Sequence, residues 1–432
     1  MTVQKSPEAR VNIQPARGTY DILPGESEKW QQLELALRSV IQRAGYREIR
    51  VPIFEHTELF KRGVGETTDI VNKEMYTFND KSDRSLTLRP EGTAGVVRSY
   101  LTHGLSRSTP PVKLWYCGPM FRYERTQTGR QRQFHQTGVE AFGSAGPAID
   151  AEVIAIAVDC IHAIGIEKFE VHLNSIGCQV CRPAFREKLR EAIRPHLAEL
   201  CEDCVDRFER NPLRMLDCKN ESCKKFFTNL PSSLDNLCAE CTAHWDGLLV
   251  LLKELGVTPV INERLVRGLD YYGRTVFELI TDDSRLGAQA TILAGGRYDY
   301  LVESLGGQPT PAVGWACGME RLALLLGETQ VSKPSTFIVS TSIEAGLKLV
   351  FDLRRAGISS DMDFPPSGGA PRALKRQLEQ ANKAGASLTL ILGEDELAAG
   401  EISVKDMTDG TQQKIPVQNI IAFLQEHAAK SV

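Results

Sequence analysis

At 432 residues the chain exceeds one ordinary hydrophobic core, so roughly two to four folding units are expected. Its 42% hydrophobic and 25% charged residues exclude a disordered or fibrous chain, and no apolar run reaches the ~20 residues that span a bilayer. A net charge of -4 does not advertise nucleic-acid binding, although a whole-chain sum can conceal a basic face; "MTVQKSPEAR" has no apolar stretch behind it, and the expected location is the cytoplasm.

After this polar start, "ARGTYDILPGESEKW" reads as a turn leading into a helix, and "WQQLELALRSVIQRAG" keeps apolar residues at helical spacing up to its glycine. "YREIRVPIFEHTELF" reads as a strand broken by Pro52. From Tyr76 to Phe142 apolar runs ("SLTLRP", "PVKLWYCGPMFRYE", "FHQTGVEAFG") alternate with Gly and Pro, the pattern of an antiparallel sheet. "DAEVIAIAVDCIHAIG" predicts an amphipathic helix and "KFEVHLNSIG" a strand. Composition then changes. Residues 178–252 are rich in Cys and in helical stretches such as "RPAFREKLREAIRPHLAEL", and strand pattern resumes at "VTPVINERLVRGLDYYGRTVFELI", as expected of an insertion around which the sheet closes. A helix from near Gly318, "GMERLALLLG", ends the large unit, and "ETQVSKPST" reads as a linker. The remainder ("TFIVST", "IEAGLKLVFDLRRAG", "SSDMDF", "APRALKRQLEQANKAG", "SLTLILG") alternates strand and helix and predicts a small α/β domain with right-handed crossovers.

Three stretches carry cations where the chain is otherwise apolar. "MFRYERTQTGRQRQFHQTGVEAFG" holds Arg122, Arg125, Arg130 and Arg132 on two β-rich arms and the loop between them. A solvated hairpin tip is the plain reading of the loop, but Arg122 falls on an arm, where a guanidinium facing a sheet can clamp a phosphate. "GWACGMERLALLL" sets Gly314 and Gly318 before a helix with Arg321 in its first turn, an arrangement that permits close backbone approach and favours an anion. "LVRGLDYYGRTVFE" packs Arg267 and Tyr272 among apolar residues, where their polar heads require partners.

Eight of the eleven cysteines form four short pairs: Cys178 and Cys181, Cys201 and Cys204, Cys218 and Cys223, Cys238 and Cys241. Three have CxxC spacing, which lets one turn present two thiolates to a tetrahedral metal, so one or two structural zinc sites are expected. Chain closure suggests the first pair with the last and the two middle pairs together; adjacent pairs combining is the alternative. Buried thiols without metal are the bland reading, and disulfides are disfavoured in a reducing compartment. Cys117, Cys160 and Cys317 read as inert core thiols.

In order, "VPIFEHTELF", the Arg122 stretch and the Arg321 stretch resemble motifs 1, 2 and 3 of class II aminoacyl-tRNA synthetases. "LVRGLDYYGRTVFE" and "AGGRYDYL" resemble the two signature segments of the histidyl-tRNA synthetases, and "RGTYDILP", "TLRPEGT" and "RQFHQTGVEAFG" fit the same family, so the resemblance covers nearly the whole chain. It implies a mixed α/β (α+β) fold: an antiparallel-sheet catalytic domain (1–176 and 253–327), a helical Cys-rich insertion (177–252) and a C-terminal α/β anticodon-binding domain (335–432). It implies activation of L-histidine with ATP and Mg2+ to histidyl-adenylate, transfer to the 3' end of tRNA(His), and a homodimer built on motif 1. By motif position Arg122, Arg267 and Arg321 are expected on the ATP phosphates, Arg122 and Arg267 acting catalytically. Glu91, Thr93 and Gln136 are expected at the histidine ammonium, and Glu140, Tyr272 and Tyr298 around its ring. Gln127 and Arg132 are expected on the extra 5' guanosine, and Arg372, Lys375, Arg376 and Lys383, on one helix, along the RNA phosphates. The cysteine set departs from much of the family. A different class of function stands beside this reading: the regulatory paralogue of ATP phosphoribosyltransferase, which is expected to lack the insertion and the anticodon-binding domain. A zinc-dependent redox or nucleic-acid module is weaker, because the cysteine pairs occupy one segment only.

Overall fold

The computed structural model describes residues 13–66, 68–218, 220–227, 230–287, 290–327, 334–365 and 369–430, with side chains to 427. The polar N-terminal stretch to residue 12 and residues 328–333 of the expected linker lie outside the described residues. The chain forms two compact units, Met1–Thr329 and Gln330–Val432. No helix among the described residues is long and apolar enough to cross a membrane.

In the first unit the strands are β1 (Arg47–Glu48), β2 (Phe54–His56), β3 (Tyr76–Asn79), β4 (Ser85–Leu88), β5 (Val112–Phe121), β6 (Gln133–Phe142), β7 (Glu170–Ser175), β8 (Val260–Ile261), β9 (Gly273–Ile280), β10 (Thr291–Arg297) and β11 (Ala312–Gly318). Eight form one sheet in the order β1-β5-β6-β11-β10-β9-β7-β8, antiparallel throughout except for the edge pairs β1 with β5 and β7 with β8. Strand periodicity divides its faces. Val139 and Ala141 of β6 enter a core with Leu33, Leu37 and Ile41 of helix Glu26–Arg43 and Ile154 and Ile161 of helix Pro147–Ala163. Their neighbours Gln136, Gly138 and Glu140 therefore face the other side.

Two stretches differ from expectation. "EHTELF" continues not as strand but as helix Thr57–Val64, because Leu59, Phe60 and Val64 bury together against Ile70 and Ala94, with Glu58 in the first turn and Lys61 and Arg62 in the last suiting the helix ends. The long strand expected from Val257 breaks after Ile261: the Asn262 side chain accepts from the Arg264 N–H (3.1 Å), making a turn, and only Gly273–Ile280 rejoins the sheet. Fully buried Arg297, at the end of β10, pairs with Asp150 and with Asp299 (2.9 Å), tying the strand to helix Pro147–Ala163.

Between β7 and β8 the described residues are helical: Cys181–Ile193, Glu202–Arg210, Glu221–Phe227 and Ala239–Glu254, joined by 3-10 turns. Phe185, Leu189, Phe208, Leu213 and Met215 form a local core, whereas Trp245, Leu248 and Leu252 of the last helix join the main one. β2, β4 and β3 form a separate antiparallel sheet.

The second unit adds β12 (Thr336–Ser340), β13 (Ser360–Met362), β14 (Leu388–Leu392), β15 (Glu401–Asp406) and β16 (Gln412–Pro416), ordered β13-β12-β14-β15-β16. The first three are parallel, as strand–helix alternation predicts, and the last two antiparallel. Ile338 and Leu390 pack under helix Ile343–Arg355, and Phe337 and Val339 under helix Leu374–Ala384, so both faces are covered. Arg372 precedes the latter helix, because Ala373 is still extended (ψ 140), and so does not share it with Lys375, Arg376 and Lys383.

Candidate active site

The polar face of β6 floors a cleft of ≈ 470 Å³. The sheet register explains its depth: Gln136 stands between Gly118 and Gly318, and Glu140 is opposite Gly314. A Cβ at Gly138 would come within 2.5 Å of the Tyr116 hydroxyl, and one at Gly314 within 2.0 Å of Glu140 Oε2. Glycine at these positions leaves room for the polar side chains between them.

One set of lining groups is acidic and phenolic. Glu91 accepts from the N–H groups of Thr93 (2.7 Å) and Ala94 (2.8 Å) at the start of helix Thr93–Thr102. The Thr93 hydroxyl donates to Glu140 Oε1 (2.6 Å), and the Tyr298 hydroxyl donates to Glu140 Oε2. Both carboxyls are buried, and burial raises Glu91 above the usual carboxylate range and pushes Glu140 up to about 8. Tyr271 stands 4.6 Å from Tyr272 and 5.5 Å from Tyr298, ring centre to ring centre. Gln136 Oε1 is buried with no hydrogen-bond partner among the described residues.

A second set is cationic. Arg122 follows the last residue of β5, its N–H still bonded to the Arg132 carbonyl (2.9 Å), and its side chain is held by the Pro90 carbonyl (2.8 Å). Arg130 pairs with Glu124 (3.1 Å), and Arg321 donates to the Thr291 carbonyl (2.5 Å). Burial, then the neighbouring Arg130, lowers Arg321 to about 10. Arg267 pairs with Glu278; burial is the largest single influence and opposes its charge, but Glu278 together with Tyr272, Tyr271 and Asp217 raises its pKa, while Nε has no hydrogen-bond partner among the described residues. Such a collection of guanidinium groups is relieved by a polyanion.

Of the residues expected at the site, Glu91, Thr93, Arg122, Gln136, Glu140, Arg267, Tyr272 and Arg321 line the cleft. Tyr298 stands behind Glu140 as its hydrogen-bond donor. Gln127 is exposed on the loop, where it pairs with Arg130 across Gly129 (φ 68). Arg132 packs its guanidinium 3.8 Å from the centre of the Tyr123 ring. In the second unit Lys375, Arg376 and Lys383 are exposed, whereas Arg372 is half-buried and paired with Asp363 (3.2 Å). Sequence reasoning missed Glu124, Arg130, Asp217, Tyr271 and Glu278 as lining groups. Glu278 closes the segment that begins with Arg267, and that recurrence of opposite charges was the available signal.

The cysteines gather as Cys178, Cys181, Cys238 and Cys241 and as Cys201, Cys204, Cys218 and Cys223, the pairing suggested by chain closure. Cys160 and Cys317 are buried and Cys117 partly so, and burial raises all three thiols, Cys317 to about 12.

A family model described as histidyl-tRNA synthetase matches residues 18–322, and one described as anticodon binding domain matches residues 336–427. The histidine–tRNA ligase of Desulforamulus reducens is 50% identical over 416 residues, 94% of this chain and 98% of that protein. That of Pelotomaculum thermopropionicum is 49% identical over 418 residues, 95% and 97% of the two chains. The apo histidyl-tRNA synthetase of S. aureus superposes with a TM-score of 0.80 at 37% identity, over 95% of this chain and 99% of that one.

Proposed function

The chain belongs to the histidyl-tRNA synthetase family, and from that premise we propose how its cleft divides the work of charging tRNA with histidine. It is an aminoacyl-tRNA ligase that activates histidine with ATP and transfers the histidyl group to the 3' end of tRNA(His). In the first step a carboxylate oxygen of histidine attacks the α-phosphorus and the bond to pyrophosphate breaks. This chemistry needs positioned cations rather than a protein nucleophile. Arg122 and Arg267 neutralise the α-phosphate and Arg321 the γ-phosphate. Mg2+ accompanying ATP would supply further neutralisation, and Glu124 and Glu278, which here pair with Arg130 and Arg267, are among the cleft carboxylates that would hold it.

The single observation that carries this division is that buried acceptors and arginines share one cleft. Glu91, Thr93 and Gln136 take the ammonium end, and Glu140, oriented by Thr93 and Tyr298, takes the ring with Tyr272. A site built to hydrogen-bond a ring rejects analogues without its N–H groups by ~10⁴-fold or more.

Residues 1–176 and 253–327 serve as the catalytic domain, 177–252 as the insertion and 335–432 as the anticodon-binding domain. Gln127 and Arg132 read the 5' guanosine, and Arg372, Lys375, Arg376 and Lys383 lie along RNA phosphates. The chain works as a cytoplasmic homodimer. The regulatory reading expects the insertion and second unit to be missing, and both are present.

Exchange of labelled pyrophosphate into ATP, dependent on histidine, followed by histidylation of a tRNA(His) transcript, tests this reading. Exchange driven equally by other amino acids, or absent, overturns it.

A further inference from the structure

Eight cysteines remain outside the reaction, gathered in two sets in which all four sulfurs lie within 4.8 Å of one another. We propose that each set is a closed, four-thiolate zinc site, and that the two ions lock the Cys-rich segment against Leu265–Glu278, the stretch that supplies Arg267 and Tyr272.

The sulfur geometry fits. A Zn–S bond of about 2.3 Å gives a tetrahedron with edges of about 3.8 Å. Cys178 Sγ is 3.7 Å from Cys181 Sγ and 3.9 Å from Cys238 Sγ, and Cys201 Sγ is 3.8 Å from Cys218 Sγ. All eight cysteines are free. Backbone N–H groups already point at the sulfurs: Val180 at Cys178 (3.3 Å), Cys238 at Cys181 (3.0 Å), Cys201 at Cys223 (3.2 Å) and Asn220 at Cys218 (3.4 Å). Thiolates need such donors and core thiols do not.

At the first set the surroundings also separate a metal site from core filling, whereas Cys204, Cys218 and Cys223 of the second lie in the insertion's core beside Phe208 and Met215, so that site rests on its sulfur geometry and N–H donors. The cluster around the first set consists of its four cysteines and Leu237, so almost no aliphatic surface is there to be filled by a thiol. Each CxxC pair stands at the start of a helix: Cys181 opens Cys181–Ile193, Cys201 precedes Glu202–Arg210 and Cys238 precedes Ala239–Glu254. Helix starts favour the anionic sulfur. Four sulfur ligands leave no position for water or substrate, so the sites are structural. Each forms with loss of four thiol protons, giving a zinc tetrathiolate of net charge 2−.

Placement gives the two ions different duties. The first set forms the neck of the segment. Gly177 (φ +71) is so close that a Cβ there would meet Cys181 Cβ at 2.7 Å, its carbonyl accepts from Arg274 N–H (2.9 Å), and Arg182 donates to the Tyr272 carbonyl. The second set fixes the turn Pro212–Asp217, which ends at Cys218: Arg214 donates to the Gly268 carbonyl (3.0 Å) and Asp217 lines the cleft. The first ion therefore supports Tyr272 and the second supports the loop beside Arg267.

Elemental analysis of the full chain, purified reduced and without added metal, is expected to find two zinc ions per chain. Cys238→Ser with Cys241→Ser should leave one, and Cys218→Ser with Cys223→Ser should leave one. The unmutated protein produced with cobalt should show strong thiolate-to-metal absorption and tetrahedral visible bands, a reading that stands even where a variant fails to fold. Fewer than about a tenth of an ion, a single ion, or iron in place of zinc overturns the assignment, since a structural site is near full occupancy. For the coupling, the folded first-set variant should raise the KM for histidine about tenfold or more, and an unchanged KM refutes that part. Metal content is read without any activity assay, so its failure is distinct from a failure of the proposed reaction.

Discussion

Gly314 and Glu140 face each other across β11 and β6, and any side chain at 314 would occupy the place of the Glu140 carboxylate, since a Cβ there falls 2.0 Å from Oε2. Gly314→Ala should therefore displace Glu140 from Thr93 and Tyr298. With a misplacement on the order of 1 Å, histidine activation should fall by about 100-fold, mainly through the KM for histidine. Steady-state pyrophosphate exchange at varied histidine checks this, and a normal KM would show that Glu140 does not meet the ring.

Glu140 also predicts a pH dependence of stability. Its carboxyl is raised from 4.5 to about 8 in the fold, so between those values the folded chain holds a proton that the unfolded chain has lost. The stability this group contributes is complete below 4.5 and is lost as pH rises towards 8, at a slope of up to about 1.4 kcal/mol per unit. Glu140→Gln cannot ionise, so the ligand-free variant should lose less stability than the parent between pH 5 and 8, as read by urea unfolding at each pH. Parallel curves would contradict the burial of a titrating carboxyl there.

Arg267→Ala should slow pyrophosphate exchange by about two to three orders of magnitude, the scale of a lost oxyanion donor, with the circular dichroism spectrum retained. Glu278, which would lose its partner, keeps a hydrogen bond from the Thr291 hydroxyl (2.9 Å). Near-normal exchange would remove Arg267 from the mechanism.

The amino-acid sequence marks some of these residues and hides others. Glu140 and Gln136 lie an even number of residues apart on one strand, so a shared face followed from β periodicity once the strand was recognised. Tyr298 could be assigned to the ring but not to a layer, because its distance from the cleft depends on the pairing of β10 with β11 and on the Glu140 carboxyl in front of it. Helix Thr57–Val64 was missed although Glu58 in its first turn, Lys61 and Arg62 in its last and the buried Leu59, Phe60 and Val64 mark it; eight residues directly after a strand are too few for the helical period to stand out. β16, "QQKIP", is polar and edge-lying, so it carries almost no periodic signal.

The small β2-β4-β3 sheet carries Phe54, 53% exposed, and Phe78, 44% exposed, with rings 6.4 Å apart, and Ile53 beside them is 44% exposed. An apolar surface of this kind in the motif 1 region fits a subunit interface. Light scattering at micromolar concentration should give twice the chain mass of 47.9 kDa, and Phe54→Asp with Phe78→Asp should shift it towards the monomer. A monomeric parent would refute the dimer.

Replacing exposed Lys375, Arg376 and Lys383 by Gln should weaken tRNA(His) binding and reduce its salt dependence by about 0.7 to 0.9 per lost phosphate contact, with pyrophosphate exchange unchanged. An unaltered salt slope would return these side chains to a solvated face.

The central pairing of the large sheet has a consequence for synthesis. β6 carries Gln136 and Glu140 on a strand whose second neighbour, β11, is Ala312–Gly318. At ribosomal rates of about 5–20 residues per second, the β5–β6 hairpin is made on the order of ten to thirty seconds before that neighbour exists. During this interval its free edge is a template for any other nascent strand. Rapid translation of the segment between β6 and β11, or a chaperone holding that edge, should therefore raise the yield of active chain more than equal help given to the second unit.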